Sequence, residues 1–219
     1  MKKLILLAFL TIFISCSSHR SIVPLGKGNS SVSAGIGGPV VKAFDIYTPM
    51  PYITGGLSYG LTDNIDISAD LHLTSLFYQI GGLDFGCAWY LTEQKNFVPV
   101  VSLQPKVNIF ASFKSNVDSR FRVLPSLSTN FAWKLKEDYI FTGLELTTPF
   151  SSSDYDNNSQ KIMLSPYIGY RYAITEKFGI IAELKLTGAN IKTNQLTVTY
   201  LNLFNFGSFG TFFTFDWRF

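Results

Sequence analysis

Apolar and polar residues alternate with a period of two through Gly56–Leu73, GLSYGLTDNIDISADLHL. Leu57, Tyr59 and Leu61 precede a Thr62-Asp63-Asn64 break and Ile65, Ile67, Ala69, Leu71 and Leu73 follow it, with Ser58, Gly60, Asp66, Ser68, Asp70 and His72 between them. Alternation on both sides of a short polar break predicts a β-hairpin with one apolar face. The pattern returns in register at Gly169–Leu186, GYRYAITEKFGIIAELKL, and in fainter form around the turns at 89–93 and 133–137. In each copy a Tyr or Trp stands three residues before the polar tip: Tyr59, Trp89, Trp133 and Tyr172. These aromatics are predicted to lie at one height along a sheet.

The same alternation carries through most of the remaining chain and predicts about ten strands. Strand one is the glycine-rich Ser31–Gly38, followed by an irregular connection over Lys42–Met50. A link around Leu76-Phe77-Tyr78 leads to a strand with Leu83, Phe85, Cys87, Trp89 and Leu91 on one face and Asp84, Gly86, Ala88 and Tyr90 on the other. Cys87 is thereby placed on the apolar face as a small hydrophobe. Pro99, Pro105 and Pro125 interrupt the next two strands and each lacks a ladder donor, which predicts bulges or a sheet edge there. At Gly143 the alternation slips phase: Tyr139 and Phe141 take apolar-face positions, while Leu144 and Leu146 fall one place off, as at a β-bulge. Ser151–Gln160 and Ala189–Gln195 are polar loops, and the last strand lies within Thr197–Phe219. Short Thr-acid turns follow every second strand and more variable connections the others, so an antiparallel ring has short turns and both chain ends on one side.

Composition says which way the apolar face points. The 219 residues are 47% apolar and 16% aromatic but only 15% charged, against roughly a quarter charged in soluble domains. That apolar surface exceeds what one small core can hide. Strands of roughly ten residues suit a bilayer better than the five or six usual in soluble sheets. The expected fold is all-β: a closed antiparallel transmembrane β-barrel. The alternative is a soluble periplasmic barrel that turns its apolar face inward around an apolar ligand. A net charge of +3 without a basic run argues against nucleic acid.

Residues 1–15 read as a signal peptide: Met1-Lys2-Lys3 is basic and Leu4–Ile14 is apolar but too short to span a bilayer. Phe13-Ile14-Ser15-Cys16 resembles the lipobox of bacterial lipoproteins, which implies a lipid on Cys16. Residues 16–30, rich in Ser, Gly and Pro, read as a flexible leader, and 31–219 as the barrel. With Cys16 acylated or removed, Cys87 has no partner, so no disulfide framework is expected.

At the other end Phe213, Phe215, Trp217 and Phe219 share one face against Thr214, Asp216 and Arg218. This strand, ending on Phe219, resembles the C-terminal signal of outer-membrane β-barrel proteins, with Phe215, Trp217 and Phe219 as the matching positions. The resemblance is to small single-chain barrels as a broad class. It implies location in the bacterial outer membrane, contact with its lipid, and recognition by the barrel-insertion machinery.

If the apolar face meets lipid, the opposite face brings Asp66, Asp70, Asp84, Glu145, Glu183 and Asp216 into the lumen with Lys106, Arg122, Lys134, Arg171, Lys185 and Arg218. Unpaired charges in a narrow interior cost several kcal/mol each, so mutual pairing is expected. No metal-ligand cluster, cofactor fingerprint or phosphate loop is present. The expected role is therefore non-enzymatic: a structural or binding barrel, or a narrow channel, meeting a ligand or protein through its outer loops. The alternative is a lipid-modifying enzyme, resembling barrels that carry His and Ser at the outer rim, with His72 as base beside Asp70 and Ser75.

Overall fold

The computed structural model describes residues 20–43, 45–114, 121–148, 162–193 and 199–219. Cys16 and the proposed signal segment lie outside them, as do Ser151–Gln160 and residues 194–195. The described strands are β1 (Ser30–Ala43), β2 (Ile46–Pro49), β3 (Tyr52–Thr62), β4 (Ile65–His72), β5 (Ile80–Tyr90), β6 (Val100–Ser112), β7 (Phe121–Leu135), β8 (Asp138–Thr147), β9 (Met163–Ala173), β10 (Phe178–Lys192) and β11 (Phe206–Arg218), with one short helix, α1 (Leu73–Phe77), after β4. From β3 to β11 each strand pairs antiparallel with its chain neighbour, and β3 pairs with β1. The ring closes where β11 meets β1, from Ser31 opposite Arg218 to Pro39 opposite Gly210. Ten strands make the wall, and β2 hangs from the far part of β1. Closure satisfies the ladder without an edge, as a sheet in hydrocarbon requires.

The two faces of the wall divide as the alternation predicts. Leu71, Phe85, Phe131 and Trp217 point outward and are exposed, whereas Asp70 and Lys106 are buried inside. The inward-apolar alternative is thereby overturned. The turns at 63–64, 91–99, 136–137 and 174–177 share one end with Ser30 and Phe219, and the connections after β1, β4, β6, β8 and β10 share the other. Tyr59, Trp89 and Tyr172 are exposed near the turn end of the wall, and Trp133, half-buried there, donates its indole N–H to the Phe97 carbonyl at 2.9 Å.

Six expectations need correction. Ala189–Gln195 is not a loop over its first four residues, because β10 continues through them to Lys192. The Lys42–Met50 connection is not irregular: β1 runs to Ala43 and turns back through Asp45, at φ 65°, into β2. The 76–78 link is the end and exit of helix α1, whose Ser75 hydroxyl donates to the His72 carbonyl at 2.7 Å. The prolines make neither an edge nor a register shift. Pro105 pairs in step with Leu127 on β7, and the β5–β6 ladder skips from Gly86 opposite Lys106 to Trp89 opposite Leu103, so its missing donor falls in that gap. Pro125 lies just beyond the β7–β8 ladder, which begins with Ser126 opposite Thr147.

Nor is there a bulge at Gly143, since β8 keeps unbroken register with both β7 and β9. The phase never slips, because Tyr139 and Phe141 face the lumen, where both are buried. Finally, residues 20–29 are not a loose leader. Arg20, Ser21, Ile22 and Val23 are buried inside the ring. Gly28 N–H donates to the Gly60 carbonyl and Gly60 N–H to the Asn29 carbonyl, both at 2.9 Å, and tie the segment's exit to the turn end of β3. Gly60 is required there, since a Cβ would overlap the Gly26 carbonyl oxygen.

Candidate functional site

The lumen is built in three layers. At the turn end, Ile22 and Val23 of the leader pack with Ala88, Tyr90, Val100, Ala132, Tyr139, Phe141, Tyr167 and Ile181 of the wall. These aromatics fit because inward glycines stand beside them: a Cβ on Gly169 would overlap the Phe141 ring, and one on Gly143 the Tyr167 ring. Polar groups frame this apolar plug. Asp66 accepts from the Tyr90 hydroxyl at 2.7 Å and from the Leu25 N–H at 3.2 Å. Arg171 donates to Asp216 through Nε and a terminal nitrogen at 3.0 and 3.1 Å, and Arg218 Nε reaches the same carboxylate at 3.1 Å. A Cβ on Gly179 would stand 2.6 Å from the Arg171 guanidinium carbon, so this glycine is the slot in which the fork lies.

The middle layer is organised by Arg20. Its Nε donates to Glu183 at 2.8 Å, one terminal nitrogen to Glu145 at 3.0 Å and to the second Glu183 oxygen at 3.5 Å, and the other to the Ser128 hydroxyl at 3.1 Å. The guanidinium carbon lies 3.8 Å from the centre of the Tyr167 ring, a stacked cation–π arrangement. Lys185 donates to the other Glu145 oxygen at 2.6 Å. The Tyr167 hydroxyl donates to Asn130 Oδ1, and Asn130 Nδ2 to Ser102 at 3.1 Å.

In the outer half, His72 is fully buried. Its Nε2 donates to Asp84 at 2.6 Å, and Nδ1 takes the Tyr52 hydroxyl. Phe110 covers the ring, with centroids 5.0 Å apart. Asp70 stands directly opposite Asp84 across the β4–β5 pair. Two like charges so placed would destabilise the pair, and each has its own partner: Lys106 Nζ lies 3.5 Å from Asp70, and His72 takes Asp84. The His72–Asp70–Ser75 grouping expected from sequence does not assemble, because Ser75 is turned to a backbone carbonyl and the acid on His72 comes from β5.

Eleven of the twelve expected lumen charges are therefore on the inner face. Arg122 is half-buried near the loop end of β7, opposite Phe110. Lys134 is exposed at the turn-end rim, where its backbone N–H is held by Gln94. Parity placed Lys134 inward, but at the rim of the wall a long cationic chain turns to water. Arg20 was the cation missed. No signal for it stood in the sequence, where six inner-face acids were already matched by six inner-face bases.

No protein-family model matches the sequence, and no curated protein matches it. Among solved structures, an outer-membrane channel from Pseudomonas putida F1 is 11% identical, with 93% of this chain and 100% of that one covered at a TM-score of 0.50. The N-terminal β-barrel domain of Pseudomonas aeruginosa OprF is 14% identical over 89% of this chain and 99% of the other, at a TM-score of 0.36. The chain has the fold of a bacterial outer-membrane β-barrel. Its apolar exterior and polar, ion-paired interior are what that fold requires of a wall standing in lipid.

Proposed function

We propose that this outer-membrane barrel is a non-enzymatic binding or scaffold protein, closed at rest, that meets its ligand or protein partner through the loops at its outer end. The observation that carries this reading is the filled lumen: the leader occupies the turn end and Arg20 the middle. Each buried acid of the lumen has a described donor, which supports a closed interior. Both ring nitrogens of His72 are engaged and the residue has no exposed surface, which supports a structural role over that of a base acting on external lipid. Recognition concentrates on segments held at the end of a rigid scaffold; the candidates are the β1–β2 hairpin within Lys42–Met50, the polar stretch Ser151–Gln160 and the end of β10 with its exit within Ala189–Gln195. Ile46 and Tyr47 in the first of these expose apolar surface.

Two processing steps complete the proposal. Cys16 carries a lipid after signal cleavage, and Phe215, Trp217 and Phe219, aligned outward on the strand that closes the ring, are read by the insertion machinery. The functional test is reconstitution of the full chain in planar bilayers, with a parallel assay of membrane-lipid composition. The proposal expects no sustained conductance and no lipid change that depends on His72. Steady ohmic current would replace it with a narrow channel, and a lipid product lost in His72→Ala would replace it with an enzyme. Incorporation of labelled palmitate that disappears in Cys16→Ala tests the lipid.

A further inference from the structure

Arg20 is the one member of the described lumen ion pairs that does not belong to the wall. The other contacts, Lys106 with Asp70, His72 with Asp84, Arg171 and Arg218 with Asp216, and Lys185 with Glu145, each join two side chains of the barrel strands. Glu183 differs: its carboxylate is buried, and the partner the structure shows for it is Arg20, on both oxygens. The wall therefore presents two carboxylates, of which Lys185 engages one oxygen of Glu145, and the leader supplies the remaining positive charge.

The shape of this seat selects a planar fork over a point charge. All three nitrogens of the Arg20 guanidinium have acceptors, two carboxylates and a hydroxyl lying around its edge, while its flat face rests on Tyr167. An ammonium group has neither the edge geometry nor the face to use them together. The segment carrying Arg20 adds no strand to the sheet, as its nearest backbone ties begin at Gly26–Asn29 and Leu25. Side chains hold it in place, not a ladder.

We propose that Glu145 and Glu183, with the Ser128 hydroxyl and the face of Tyr167, form a guanidinium-binding site in the lumen. Arg20 is its resident occupant, and the site takes an external guanidinium when Arg20 is absent or withdrawn. The ligand class is a guanidinium group, borne either by a small arginine-like solute or by a basic peptide entering from the turn end. This goes beyond the closed barrel proposed above and does not depend on it, because occupancy is read by stability and not by current.

The experiment uses the full chain refolded in detergent, with the temperature midpoint of heat-modifiable migration as readout. Arg20→Ala is expected to lower the midpoint. Methylguanidinium is expected to raise it again saturably, with an apparent affinity roughly tenfold or more above that of methylammonium, which lacks the fork. The same additions are expected to give no rise in the wild type, where Arg20 fills the site, or in the Arg20→Ala, Glu183→Gln double variant, where one wall of the seat is removed. If Arg20→Ala does not fold alone, recovery of folded barrel on refolding with methylguanidinium is read instead. A synthetic peptide of residues 20–28, added on refolding to a chain from which residues 17–28 are deleted, forms the second arm. Rescue by methylguanidinium alone assigns a solute-sized site, and rescue by the peptide but not by a version with Ala at its first position assigns a peptide site. Failure of both to rescue, or equal rescue in the double variant, overturns the proposal.

Discussion

Arg171 shows how much hangs on single side chains in this interior. It holds Asp216 through two nitrogens and also reaches the Glu137 carbonyl at 3.2 Å. Arg171→Leu leaves a buried carboxylate with only the half-exposed Arg218 as counter-ion, so a loss of about 3–5 kcal/mol is expected, read as a fall in the denaturant midpoint of the refolded barrel. A neutral Asp216→Asn in the same background should recover part of that loss. Gly169→Ala tests packing in place of charge: a methyl directed into the Phe141 ring should cost about 1–3 kcal/mol by the same assay. Most inward charges were legible from parity alone, because a strand admits two directions and the apolar set fixes one of them. Tyr139 and Phe141 were not. Aromatics are welcome both in lipid and in a plugged lumen, so hydrophobicity carried no sign there, and for Phe141 it is the inward Gly169 of the neighbouring strand that reveals the slot it fills.

Among the elements, the repeated hairpins around 62–64 and 174–177 were plain in sequence, because a two-residue period leaves little freedom once a turn is placed. The leader was obscured by its composition. Ser, Gly and Pro signal a loop when read locally, yet Arg20 has its charged partners more than a hundred residues away, at Glu145 and Glu183. Strand β2 was missed because its side chains are all exposed, which erases the alternation that would have shown it. Since the β1–β11 ladder ends at Pro39 and β2 pairs only beyond that point, deletion of residues 45–48 is expected to leave heat-modifiable migration intact. β11 is a different case. Removing Phe219 takes away the terminal pair of hydrogen bonds with Ser30, both between 2.8 and 2.9 Å, together with the last outward aromatic. A several-fold fall in assembled outer-membrane barrel is expected, measured in membrane fractions at equal expression.

Across the whole molecule, the outward face must satisfy hydrocarbon over its full girth. Leu57 lies on that face, exposed, between Val32 and Ala69 of the adjoining strands. Leu57→Arg is expected to destabilise the lipid-embedded barrel by about 2–4 kcal/mol, measured by refolding into vesicles. The filling of the interior also imposes an order of assembly. The strap at Gly26–Asn29 and the bonds from Leu25 and Lys27 to Asp66 and Asp63 link residues 31 to 41 positions apart, so they are available as soon as the first hairpin stands. The partners of Arg20 lie 125 and 163 positions away, on β8 and β10, and come into place only as the final strands bring the two ends of the chain together. The ring therefore closes around a passenger that is already aboard, and sealing the seam and seating the arginine become one event.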